Sequence, residues 1–251
     1  MKTLIRVIAF GIFSLTSSQL FIVHGQTTAS SLLTQISQAF VTNSVVSTIQ
    51  LTATANWYAG SFEDSGSATL TASANGASQI QLNLAKKGIW TEAQGQIDPS
   101  MSCSWADSSA ARHVLSGSSC VKPTVWFLPA LTLQPSSTLS SITATDLGMS
   151  PVGNSTYRHA RLQFPSSAMD PAAVGVAQNS SIDIGVDPTS FLPQVVAYTV
   201  PPDDGSPVLI PIEIHFSDYR TIQDAQIPFR IQRYVNGTLQ LDLTVEAAQI
   251  S

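Results

Sequence analysis

Three histidines, His113, His159 and His215, are the side chains of this 251-residue chain best suited to proton transfer or metal binding. A hydrolytic triad needs a nucleophile, a base and an orienting group together, and zinc needs about four ligands. His159 and His215 fall on the polar, outward side of predicted strands, and none of the three shares ligand spacing with another. Glu63-Asp64-Ser65-Gly66 superficially resembles the surroundings of a protease nucleophile. Asp, Ser and Gly are equally the residues a hairpin turn demands, and flanking strand patterns favour the turn. Asp203-Asp204-Gly205 supplies too few oxygens for calcium's six to eight ligands. The chain has no Cys-x-x-Cys, no His-Glu-x-x-His and no Gly-rich phosphate loop. The expectation is a protein that is not an enzyme, with no catalytic residues, no metal and no cofactor.

Cys103 and Cys120 are the two cysteines. In an oxidising compartment an even count favours a bridge over two buried thiols or a metal pair. Closing that short loop adds about 3 kcal/mol on the chain-entropy model. Asn154, Asn179 and Asn236 match the N-glycosylation pattern, as a Ser/Thr-rich chain does by chance. Trp126-Phe127-Leu128-Pro129 is the densest apolar cluster. It reads either as ordinary core packing or as a lid, Trp126 and Phe127, that a ligand displaces.

These residues must be placed by strands. Val208–Ser217, Ile227–Val235 and Leu239–Val245 each alternate apolar and polar residues with period two, as a sheet with one dry face requires. Asn236-Gly237 predicts a type I′ hairpin, which needs positive φ at both positions. Thr48–Trp57, Ser67–Ala74 and Gln79–Leu84 form an earlier meander, its links too short for parallel crossovers. Tyr157–Phe164, Ser181–Val186 and Gln194–Val200 are further strands. Ser31–Phe40 predicts a short helix with Leu32, Leu33, Ile36 and Phe40 along one side. From 95 to 141 the alternation stops, and this section reads as helices and loop, with Pro123 in a first helical turn and Pro129 breaking it.

Lys2 and Arg6 before an apolar run from Val7 to Val23 predict a signal peptide, residues 1–25, cleaved between Gly25 and Gln26. Its removal takes the net charge from −5 to −7. No basic cluster survives beyond Lys86-Lys87, so nucleic acid and anionic membrane surfaces are poor partners. No second apolar run reaches spanning length. Residues 26–251 fit a single domain.

The phrases Ile184-Gly-Val-Asp187-Pro188-Thr-Ser-Phe191-Leu192-Pro193 and Phe216-Ser-Asp218-Tyr219-Arg220, with Ile227-Pro228-Phe229 and Asn236-Gly237 after them, carry a resemblance. Over about residues 30–251 the chain resembles the Lol-type outer-membrane lipoprotein carrier and receptor superfamily, and it is also similar to secreted bacterial proteins with like closing strands. The resemblance implies an α+β fold: a large curved antiparallel sheet, an incomplete β-barrel. A short N-terminal helix and a helical or loop lid pack on its concave face. No residue here aligns with the carriers' functional arginine or protruding leucine. Function is then expected to be non-catalytic binding of a lipid, an acyl chain or another hydrophobic ligand by a periplasmic or secreted protein. A sixteen-carbon chain buried at about 0.8 kcal/mol per CH₂ gives on the order of 12 kcal/mol before ordering costs. The expected lining is Leu70 and Leu82 from the first meander. From the closing meander it is Ile212, Ile214, Phe216, Phe229, Ile231, Leu241 and Leu243. The alternative is a structural module of the cell envelope with a protein partner and a self-filled core.

Overall fold

The computed structural model describes residues 31–42, 44–97, 100–114, 125–134, 143–163, 181–200 and 208–251. The signal-peptide expectation, Gly25-Gln26 included, and Cys120 lie outside them.

Period-two alternation yields strands throughout. The first meander is β1 (Thr48–Ala59), β2 (Phe62–Ser73), β3 (Ser78–Leu84), β4 (Gly88–Ile97), β5 (Ser100–Ala106) and β6 (Arg112–Val114). The second is β7 (Thr143–Val152), β8 (Ser155–Gln163), β9 (Ile182–Val186), β10 (Pro193–Val200), β11 (Ile210–Ile222), β12 (Ala225–Val235) and β13 (Thr238–Ile250). One antiparallel sheet holds all thirteen in the order β6-β5-β4-β3-β2-β1-β13-β12-β11-β10-β9-β8-β7. β1 pairs with β13, from Ile49 opposite Ile250 to Trp57 opposite Leu241, and joins the two meanders. The sheet does not close into a barrel. Asn236 and Gly237 have φ of 48° and 73°, which gives the hairpin between β12 and β13 that the sequence predicts.

Alternate residues of these strands form the core, among them Leu51, Leu70, Leu82, Ile184, Ile214, Ile231 and Leu243, all essentially inaccessible to solvent. Residues 31–40 are helical (α1), and Leu32, Ile36 and Phe40 bury in that core at the predicted i, i+4, i+8 spacing. Val125, Phe127, Leu128 and Leu131 join them from the segment 125–134. Gln134 holds this segment in place. Its Oε1 accepts from the Val46 N–H at 3.1 Å, and its Nε2 donates to the carbonyls of Val46 and Leu131, each at 3.0 Å.

The structure corrects three expectations. The fold is mostly β rather than α+β, since the described residues of the section from 95 hold the end of β4, β5, β6 and one 3-10 turn, with no α-helix among them. Alternation in β4 and β5 is disguised, because their inward positions carry Trp90, Glu92, Gln94 and Trp105 where a dry face would have aliphatics. Second, no helix runs through Trp126–Leu128. Pro129 opens a 3-10 turn, Pro129–Leu133, instead of breaking a helix, because its missing N–H has no partner to lose in a first turn. Third, Glu63-Asp64-Ser65-Gly66 lies within β2, and the reversal sits at Gly60-Ser61. Gly66 is required by close approach: a Cβ there would lie 1.9 Å from the Asn83 carbonyl oxygen.

Candidate functional site

On β12 the inward positions run Phe229, Ile231, Arg233, Val235, so a guanidinium occupies a slot where alternation calls for an apolar side chain. On β4 they run Trp90, Glu92, Gln94. In a flat sheet these strands would be five spacings, about 24 Å, apart. The sheet curls enough that Arg233 Nη1 lies 2.9 Å from Glu92 Oε2. Nη1 and Nη2 each donate to Glu92 Oε1 at 3.2 Å, and so does Trp90 Nε1. Trp126 covers the guanidinium, its ring centroid 5.2 Å from Cζ. The pairing of β12 with β13 skips Gln240 beside Arg233, a bulge of the kind that re-aims side chains at a sheet's functional positions.

Burial opposes the Glu92 charge more than any other single effect. The Arg233 charge, its hydrogen bonds and the Trp90 N–H together outweigh that and hold the carboxyl below its ordinary range. Burial likewise opposes the Arg233 charge, and Glu92 overcomes it, so the guanidinium's pKa is raised. Tyr198, beside the pair, is pushed up to about 12, mainly by burial, with Glu92 adding to it and Arg233 opposing. Arg233 Nε and Gln94 Nε2 are buried with no hydrogen-bond partner among the described residues.

These groups face a cavity of about 460 Å³ in the concavity of the sheet. Ile80, Leu82 and Leu84 of β3 form one aliphatic wall, and Val200, Ile210 and Ile212 the opposite one. All four tryptophans of the chain line it: Trp57, Trp90, Trp105 and Trp126. Trp90 and Trp105 stack with centroids 4.7 Å apart, and His113 continues the stack 3.9 Å from Trp105. At the rim the exposed Lys87 places its ammonium 4.2 Å from the Trp57 ring and 5.3 Å from Trp90. The turn that carries Lys87 is held by Asp64, which is buried on β2. Its carboxylate accepts from the backbone N–H of Lys86 at 3.0 Å, of Lys87 at 2.8 Å and of Ser65 at 2.9 Å. Burial works against the Asp64 charge, but these three bonds prevail and its pKa is lowered.

Of the lining named from sequence, Leu82 and Ile212 face the cavity, as do Trp126 and Phe127. Leu70, Ile214, Phe216, Phe229, Ile231, Leu241 and Leu243 are buried in the packed part of the same core. Cys103 also lines the cavity. The histidines occupy different settings: His113 on Trp105, His159 against Gly185, and His215 3.1 Å from Glu213. No group of three His, Cys, Asp or Glu among the described residues is placed to hold a metal. Sequence reasoning passed over Glu92, Arg233, Lys87 and Tyr198. The available signal was a charged residue two positions from Ile231 and from Val235 on a strand that is otherwise apolar inward.

No family model and no curated protein matches the sequence. Solved structures do match the fold. A DUF1329 family protein from Desulfovibrio piger is 10% identical with a TM-score of 0.56, over 90% of this chain and 93% of that one. A LolA superfamily protein from Nitrosomonas europaea is 13% identical with a TM-score of 0.53, over 89% and 93%. A domain from Vibrio parahaemolyticus, named provisionally as an outer-membrane lipoprotein-sorting protein, is 7% identical with a TM-score of 0.54, over 90% and 93%. The chain has a Lol-type fold.

Proposed function

We propose that this protein is a non-catalytic binding or carrier protein for a lipid, acyl chain or other hydrophobic ligand, held in the concavity of the half-barrel. The observation that carries the reading is the cavity of about 460 Å³, within the range of small-molecule sites, bounded by two aliphatic walls and every tryptophan of the chain. Burial of an acyl chain against such walls is favourable in proportion to the apolar area removed from water. Leu82 and Ile212 grip the ligand, and Trp126 and Phe127 sit where a lid would. The Lol-type fold, shared with a LolA superfamily protein, agrees with a carrier. The self-filled alternative is disfavoured because it requires a fully packed concavity. The protein acts in the periplasm or outside the cell after removal of residues 1–25, with a Cys103–Cys120 bridge bracing the loop after β5. No helix among the described residues is long and apolar enough to cross a membrane.

The test is direct. Protein purified from cells and extracted with solvent is expected to release lipid detectable by mass spectrometry. A brominated fatty acid is expected to quench most of the tryptophan emission, because all four indoles line one cavity. No extractable lipid together with no quenching would overturn the proposal.

A further inference from the structure

Among the described residues that line the cavity, Lys87 is the charge without an ion-pair partner. Glu92 and Arg233 neutralise each other across it, which leaves a net charge of +1 on the lining of a protein whose overall charge is −5. The arginines Arg158, Arg161, Arg220 and Arg230 each pair with a carboxylate elsewhere. Lys87 has no carboxylate in ion-pair range among the described residues, and its ammonium is held instead over two indole rings at the rim. Its backbone is fixed by Asp64, so the position of the charge is built into the fold. The neighbouring lysine differs: Lys86 Nζ donates to the Glu63 carbonyl at 2.8 Å and lies over Phe62, off the cavity.

We infer that the ligand is a single-chain amphiphile with an anionic head group, carboxylate or phosphate, its tail between the aliphatic walls and its head on Lys87. This rests on the proposed binding function and adds to it the class of head group. An exposed cation over indoles retains its donors for an incoming anion, and an ammonium serves as a point charge for either head group. An anion placed against Arg233 would have to compete with Glu92.

The experiment uses the full mature chain and three probes of equal length: a fluorescent polyene fatty acid, its methyl ester, and the corresponding monoalkyl phosphate. The acid or the phosphate is expected to bind about fivefold tighter than the ester, the size a single solvent-touched ion pair supplies. Which of the two leads identifies the head group. Lys87→Gln is expected to abolish the preference for the anions over the ester, and Lys87→Glu to reverse it. Lys86→Gln removes the same charge one residue away and is expected to leave the preference intact, and raised salt to shrink it. Ester binding as tight as that of both anions, or an equal response to Lys86→Gln and Lys87→Gln, overturns the head-group assignment alone. Binding of none of the three probes overturns the binding function with it.

Discussion

Arg233 and Glu92, 141 residues apart in sequence, join two strands that four others separate in the sheet. Their contact measures the curl of the half-barrel, and it does so with charges that are largely buried, the side chains 12% and 30% exposed.

Removing one partner strands the other in the cavity. Arg233→Met or Glu92→Gln is expected to lower stability by about 2 kcal/mol, less than for a fully buried pair because Glu92 touches solvent. The double variant Arg233→Met/Glu92→Leu is expected to recover most of the loss. Denaturant midpoints at unchanged slope provide the measurement. Single variants as stable as the parent would show that the pair is not holding the curl.

Acid should loosen the cavity in a defined direction. Glu92 and Asp64 both have pKa values lowered by folding. Each therefore contributes stability that is present above its unfolded pKa of about 4 and lost as pH falls through the lower, folded value. Melting temperature is expected to drop below about pH 4, and Asp64→Asn to flatten that drop while destabilising the protein at neutral pH. An acid limb unchanged by Asp64→Asn would exclude Asp64 as a cause.

Gln134→Leu keeps the bulk of a buried side chain but leaves the Val46 N–H and C=O without partners. The cost expected is about 1–3 kcal/mol. Protease cleavage within 125–134 is expected to quicken as the segment detaches. Unchanged cleavage would mean that Leu128 and Leu131 anchor it alone.

Gly66→Ala is expected to destabilise β2 and β3 more than Gly95→Ala does β4. A Cβ on Gly66 would overlap the Asn83 carbonyl, whereas one on Gly95 meets nothing within 4 Å. Thermal melts of the two variants compare them, and equal midpoints would sink the argument.

Legibility in the sequence followed what each strand faces. β11, β12 and β13 read clearly because Ile214, Phe229, Ile231, Leu241 and Leu243 point into a dry core. β4 and β5 were missed because Trp90, Glu92, Gln94 and Trp105 point into a cavity, where polar side chains are tolerated and the binary pattern fades. β7 was missed as well: its inward positions carry Ala144, Asp146, Gly148 and Ser150, and on this edge strand they are only half-buried. The site itself was legible in Leu82, Ile212 and the Trp126 cluster. The ion pair was not, since spacing along the chain cannot reveal a contact made by sheet curvature.

The pairing of β1 with β13 also sets a schedule. Ile49 meets Ile250 and Ser47 donates to the Ser251 carbonyl, so the seam between six early strands and seven late ones forms only once the last strand exists. Until then each meander presents an unsatisfied edge, and closure across some two hundred residues is slow on topological grounds. The sheet of a nascent chain therefore stays in two separate halves until β13 has been made.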